Sequence, residues 1–267
     1  MATTAVRVAR RSRDYVRVSG PEAASYLERM LSNEVESLDL DAAREALLLT
    51  PKARVVAPLV VWRRGHDDFL LLTEPGLGAT VRATLTRARF ATKAQIEPEE
   101  HTSLLVLGTG EGGIPNRAYG VPAVELLDAE PPPAAVEIGE DELELLRIRA
   151  RTPAWGKEVD ERVLPAEAGL DERAVSFTKG CYPGQEPVAR LHYRGRPNRG
   201  LRLLRLEGDE LPAYDAELEL DGKTVGRITS AVRDGEGDGV LALAYVRREV
   251  PAEATLRTGS RAATQLH

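Results

Sequence analysis

The sequence predicts an α+β chain in which α/β lobes are followed by a small all-β unit. Three observations predict it. Strand-like and helix-like segments alternate through residues 15 to 108, a Pro-Pro-Pro stretch at Pro131 to Pro133 introduces an acidic-headed helix, and only short strands follow residue 199.

Taken in order, Tyr15, Val16 and Val18 have strand character. Ser19 offers a cap and Pro21 suits a first helical turn. Ala23, Tyr26, Leu27, Met30 and Leu31 then recur on one helical face. Residues 44 to 75 read as three strands, interrupted at Pro51–Lys52 and from Arg63 to Asp68. A helix is predicted over 76–90, then strands within 93–97 and 102–108. Residues 122 to 150 read as a connection between lobes that carries a helix near Glu140 to Arg149. Beyond it, strands are predicted within 200–208, 216–232, 239–249 and 254–259, with Asp221–Gly222 as a hairpin turn. Residues from about 199 to 267 form a β-barrel or a sandwich on this reading.

At 267 residues and 42% hydrophobic, the chain can bury a large core and suits two or three domains better than one. A single cysteine, Cys181, excludes an internal disulfide and a multi-thiolate metal or cluster nest. His66, His101, His192 and His267 form no ligand pair at helical spacing, so no metal site is predicted. No serine sits in a nucleophile-elbow setting. The start of the chain lacks an apolar core of signal-peptide length, and no stretch approaches the roughly 20 apolar residues of a membrane span. A cytoplasmic protein without a membrane partner is expected.

The net charge of −6 is unevenly spread. Val121 to Leu146 holds eight acidic residues and no basic one, while Pro187 to Leu206 holds six arginines and no acidic residue. Only five basic residues are lysines, a bias that fits GC-rich coding better than phosphate binding. The arginine run reads as a solvated strand edge, with an RNA-facing ribbon as the alternative. Gly108 to Gly113 follows a strand, but Pro115 stands where a dinucleotide-binding helix should open, so it reads as a surface turn.

The stretch Ser176 to Glu186 carries the cysteine. Ala174 to Thr178 reads as a strand, and Tyr182-Pro183-Gly184-Gln185 fits a type II turn. Lys179, and Arg190 beyond it, would favour a thiolate at Cys181, because a nearby cation stabilises the charged form. A small buried apolar residue is the other reading of a lone cysteine.

Lys179-Gly180-Cys181-Tyr182-Pro183-Gly184-Gln185-Glu186, continuing through Ala189–Arg190 to Arg194–Gly195, resembles the signature of the YgfZ family, relatives of the T protein of the glycine cleavage system. The likeness extends to Ser32-Asn33-Glu34-Val35 and to residues 47–61, 146–170 and 225–249. It implies two α/β lobes and a β-barrel in a ring around a folate pocket. Residues 1–198 would form the folate-binding region, with lobe one about 1–45 plus 130–198 and lobe two about 46–129, and residues 199–267 the barrel. It also implies a folate-binding accessory protein that supports assembly or repair of iron–sulfur enzymes and, through them, tRNA modification. Cys181 would be the working thiol, and Lys179, Gly180, Tyr182, Gly184, Gln185, Glu186, Arg190 and Asn33 the motif and folate-binding residues. The cofactor would be tetrahydrofolate or a derivative, and the partners iron–sulfur proteins or their assembly factors, with tRNA contact open but not expected to be direct.

Two departures bear on chemistry. The glycine-cleavage transferases place a catalytic carboxylate where this chain has Ala57–Pro58, so aminomethyl transfer is not expected. Their folate-holding glutamate corresponds to Arg149 in Arg147-Ile148-Arg149-Ala150-Arg151.

Overall fold

The structure is a computed structural model and describes residues 6–235 and 239–266. His267 and the first five residues of the amino-terminal stretch lie outside the described residues.

The first half of the chain supplies β1 (Arg7–Arg11), β2 (Asp14–Ser19), α1 (Ala23–Met30), β3 (Ala43–Leu49), β4 (Val55–Gly65), β5 (Asp68–Thr73), α2 (Gly78–Ala88), β6 (Gln95–Glu99), β7 (Ser103–Leu107), β8 (Ile114–Asn116) and β9 (Ala123–Leu127). Then come β10 (Val136–Glu137), α3 (Glu140–Arg149), a single 3-10 turn at Pro165–Glu167, α4 (Asp171–Ala174) and α5 (Gln185–Arg194). The final strands are β11 (Arg199–Leu206), β12 (Glu217–Leu220), β13 (Lys223–Arg233), β14 (Val240–Arg247), β15 (Leu256–Thr258) and β16 (Arg261–Leu266).

Two five-stranded sheets form the lobes, in the orders β3-β4-β5-β2-β6 and β10-β1-β7-β9-β8. The expected α+β architecture is present, and the choice between barrel and sandwich falls to the barrel: β11-β14-β13-β12-β15-β16 closes on itself through β11–β16 pairing. Closure leaves no strand edge open to another chain.

Burial follows the pattern of each segment. β4 alternates, with Val55, Ala57, Leu59 and Val61 buried on one side. Ala57, Leu59 and Val61 join Tyr26, Leu27 and Leu31 and, from α2, Val81 and Leu85, in the largest core, while Val55 packs with Tyr182 in a second one. The opposite side of the same sheet packs Tyr15, Leu70 and Leu72 against Ile114 of the second lobe. The lobes therefore meet face to edge through apolar contact, and a cleft opens beside that contact.

Sheet membership cuts across the expected lobe bounds. Strands of residues 14–99 build one sheet, and β1 joins strands of residues 103–137 in the other. β1 pairs with β7 from Arg7↔Leu107 to Arg11↔Ser103, a long-range register that no local pattern reveals.

Four local expectations are corrected. Glu22, not Ser19, occupies the N-cap of α1, because Ser19 remains the last paired residue of β2. The stretch read wholly as a connection contains β9, whose Val124 pairs Val106 inside the second sheet. Ala174 to Thr178 is not a strand. Ala174 ends α4, and Ser176 N–H donates to the Ser32 carbonyl, so this segment is pinned to the end of α1 instead of a sheet. The arginine run opens on a helix, α5, with Val188 buried and Leu191 half-buried on its inner side. Glu186, just before the run, and Pro187 at its start are helix-start signals in the first turn.

Candidate functional site

Cys181 is exposed, in the loop that enters α5. The turn predicted after it forms. Gln185 N–H donates to the Tyr182 carbonyl at 3.2 Å, and Gly184 has φ +84°. A Cβ on Gly184 would lie 2.6 Å from the Thr50 carbonyl oxygen, so this glycine also lets the loop press on the β3–β4 turn. Tyr182 is buried in the core beneath, where burial pushes its hydroxyl up to about 12. Gln185 reaches back to the Gly180 carbonyl only at 3.5 Å, while Gly180, Glu186 and Arg190 are exposed.

Lys179 does not serve the thiol. Its ammonium points inward and donates to the carbonyls of Glu28, Leu31 and Asn33 at 2.7, 2.9 and 2.7 Å. It also lies 3.2 Å from the Glu28 carboxylate, and the side chain is 1% exposed. Burial pulls this ammonium below the usual lysine range, against the opposing pull of Glu28.

Asn33 is likewise spent on backbone. Its amide donates to the carbonyls of Glu45 at 2.9 Å and Arg173 at 3.3 Å. Those two residues line a different feature, the cleft between the lobes. Its volume is about 130 Å³, narrower than the roughly 300–1,000 Å³ usual for small-molecule sites. Trp155 and Tyr119 supply aromatic surface, Pro58 and Leu72 apolar wall, and Arg13, Glu45, Glu74, Arg147 and Arg173 charge.

The cleft's charges are held in place by one another. Arg13 pairs with Glu74 through Nη1 at 2.9 Å and grips Glu125 through Nη2 and Nε, at 2.5 and 3.1 Å. Ser103 and Asn116 donate to the same Glu125 carboxylate at 2.8 and 2.6 Å. Burial alone would raise the Glu125 carboxyl, but the Arg13 guanidinium and these donors hold it at about 2. Arg147 pairs with Glu158 at 3.0 Å and Glu144 at 2.6 Å, and donates to Ser230 of the barrel at 2.7 Å. One polar network thus joins α3, the Trp155 loop and β13.

Arg173 completes the wall. Its Nε lies 2.7 Å from Glu45 Oε2 but is misaligned for a hydrogen bond, which leaves a buried donor without a hydrogen-bond partner. Arg149, the counterpart of the transferases' folate-holding glutamate, turns to Asp234 at 2.7 Å and does not line the cleft. Arg117 is exposed at the rim.

The motif and the cleft are therefore separate places. None of Lys179, Gly180, Cys181, Tyr182, Gly184, Gln185, Glu186 or Arg190 lines the cleft; Asn33 alone connects to it, by fixing the backbone of Glu45 and Arg173. Sequence reasoning missed Arg13, Glu45, Trp155 and Arg173. One of only two tryptophans in the chain, placed in a Pro-Ala-Trp-Gly loop, was the available signal. Among the described residues no group of His, Cys, Asp and Glu could hold a metal, and no helix is long and apolar enough to cross a membrane.

Comparison with known proteins places this geometry. No family model matches the chain. It is 29% identical to the tRNA-modifying protein YgfZ of Edwardsiella ictaluri, over 94% of this chain and 87% of that protein. An uncharacterized protein of Haemophilus influenzae is 27% identical over 86% of this chain and 85% of its own length. Among solved structures, the glycine cleavage system aminomethyltransferase T of Bartonella henselae superposes with a TM-score of 0.86. It covers 99% of this chain and 85% of that one at 19% identity, a likeness of fold.

Proposed function

We propose that this relative of the YgfZ tRNA-modifying proteins, built on the aminomethyltransferase fold, binds a reduced folate in the cleft between its lobes. Bound there, the folate would make it an accessory factor for iron–sulfur enzymes, and through them for tRNA modification, with Cys181 as its working group.

The observation that carries the folate reading is the chemistry of the cleft wall. A pterin is a flat ring with a polar edge, and Trp155 and Tyr119 offer it aromatic surface. Glu45 and Arg173 offer an acceptor and a buried donor that lacks a hydrogen-bond partner. Arg117 at the rim is positioned for the anionic glutamate tail. The residues present fit the group. Reduced folate supplies one-carbon carrying capacity; the chain's own residues bind and orient it. Asn33 acts one step away, by holding the backbone carbonyls of Glu45 and Arg173.

Transfer of an aminomethyl group is not part of this reading. The cleft carboxylates Glu45 and Glu74 are both ion-paired, and Pro58 occupies the wall where a general acid or base would be needed. Glu167 pairs with Arg199 and Glu186 stands on α5, so neither replaces it.

Titration with tetrahydrofolate and its 5-formyl derivative, read as melting temperature, tests the binding. A ligand at a hundredfold excess over Kd stabilises by about 2.7 kcal/mol, a rise of several degrees for a chain of this size. Arg173→Ala should lose that rise. No shift at millimolar folate overturns the reading. Complementation of a strain lacking such a factor, with wild type and Cys181→Ala, tests the role of the thiol through the activity of a cluster-containing enzyme.

A further inference from the structure

Five of the six arginines of the run from Pro187 to Leu206 fall into two groups. Arg199 pairs with Glu167 and covers the Tyr245 ring, Arg202 donates to Gln265 and to the carbonyls of Arg247 and Val250, and Arg205 pairs with Asp234. These three hold the barrel. Arg190 and Arg194 are different. They project one turn apart from α5, exposed, and neither forms an ion pair among the described residues.

Facing them across a groove is the β3–β4 turn with Lys52 and Arg54. The groove's floor is apolar, from Pro51, Leu164 and Leu191, and among the described residues no carboxylate lines it. Four cations thus share one concave surface of a chain whose net charge is −6. Local potential, not net charge, decides what such a surface attracts.

A second observation points to the ligand's class. Phe177 and His192 stack at 3.7 Å between ring centroids, and Tyr193 meets His192 edge-on at 4.9 Å. Tyr193 is 66% exposed, its ring presented to solvent on the same helix as the arginines. Cations in a groove, with an exposed aromatic ring on the same helix, are the combination that binds single-stranded nucleic acid, with phosphates held by charge and bases by stacking.

We propose that the groove between the β3–β4 turn and α5 is a binding face for single-stranded RNA. Lys52, Arg54, Arg190 and Arg194 meet phosphates there, and Tyr193 stacks on a base. The face is distinct from the inter-lobe cleft and does not depend on folate binding. It takes up the RNA-facing alternative for this run.

Fluorescence anisotropy with a labelled unmodified tRNA transcript and a labelled 12-nucleotide single strand tests it. Four phosphate contacts predict a log–log salt slope near −3, so affinity should fall roughly fifty-fold between 50 and 200 mM salt. Arg190→Glu with Arg194→Glu should weaken binding at least tenfold and flatten the slope by about 1.4. Tyr193→Ala should weaken the single strand by roughly five- to a hundredfold and leave the slope unchanged. If the double variant lowers the melting temperature, Lys52→Glu on the opposite wall carries the same test. Absence of binding at 50 mM salt, or binding indifferent to these charges, overturns the proposal. So does a polyglutamate peptide that competes equally while Tyr193→Ala has no effect, which would assign the face to an acidic protein partner.

Discussion

Lys179 caps a helix almost 150 residues away: its ammonium lies 2.7 Å from the carbonyl of Glu28 and 3.2 Å from the same residue's carboxylate. An ammonium has three donors, and the carbonyls of Glu28, Leu31 and Asn33 at the end of α1 use them. A cation at a helix C-terminus is also favoured by the helix dipole. Lys179→Met should therefore cost about 3 kcal/mol in urea unfolding, because it leaves buried carbonyls and a partly buried carboxylate without their cation. A loss below 1 kcal/mol would show that water replaces the ammonium.

Arg147 and Glu158 bind the barrel to the lobes. Glu158 is fully buried, accepts from Ser230 at 2.6 Å, and its carbonyl receives the Tyr245 hydroxyl at 2.7 Å. Arg147→Met would strand that carboxylate without a counter-charge, at a cost of about 3–5 kcal/mol. Arg147→Met combined with Glu158→Gln should recover part of it. Calorimetry of both variants measures the difference, and additive losses would mean that the two side chains are not coupled.

Much of the frame is legible in the sequence because the frame is local. The period-two pattern of β4 and the acidic first turn of α3 mark their own elements. Asp221 and Gly222 both take positive φ, 51° and 72°, as a type I′ hairpin turn requires. The site is not local. Arg13, Glu45, Trp155 and Arg173 come from four distant segments and meet only because the sheets and the segment from α3 to α4 bring them together. The direction of Lys179 was equally hidden: it leaves an irregular segment, where spacing does not set which way a side chain points. In α5, arginines at exposed positions masked a helical Val188–Leu191 spacing.

The Glu125 carboxyl supplies a pH dependence. Unfolded, it takes a proton near 4.5; folded, burial would raise that value, but Arg13 and its hydrogen-bond donors hold it at about 2. Between those values the unfolded chain binds more protons, so stability from this group is complete above 4.5 and lost as pH falls toward 2. The loss is about 3 kcal/mol at most. Glu125→Gln should flatten the stability profile in that window while lowering stability at pH 7. An unchanged acid limb would place the acid sensitivity elsewhere, with Glu144 the next group to test.

Gly184 has two reasons to be glycine. Its φ of +84° is strained for any residue with a Cβ, and the Cβ would press on the Thr50 carbonyl oxygen at 2.6 Å. Gly184→Ala should cost about 2 kcal/mol or more and loosen the start of α5. Hydrogen exchange at Gln185 and Val188 reads this directly. Protection equal to wild type would mean that the β3–β4 turn yields.

Cys181 is exposed on the loop entering α5, so nothing in the core depends on it. Cys181→Ser should change stability by no more than about 0.5 kcal/mol. The native protein should react with a thiol-alkylating reagent without denaturant, because the sulfur is open to solvent. A single cysteine cannot hold a cluster alone, so cluster chemistry at this loop must be shared with a partner. Oxidation should give an intermolecular disulfide or a sulfenic acid. The thiol reading thus separates from the folate reading. Cys181→Ser should keep any folate-induced rise in melting temperature, since the loop does not line the cleft, and should lose support of cluster enzymes in cells. A variant that complements fully would leave this exposed cysteine without a working role.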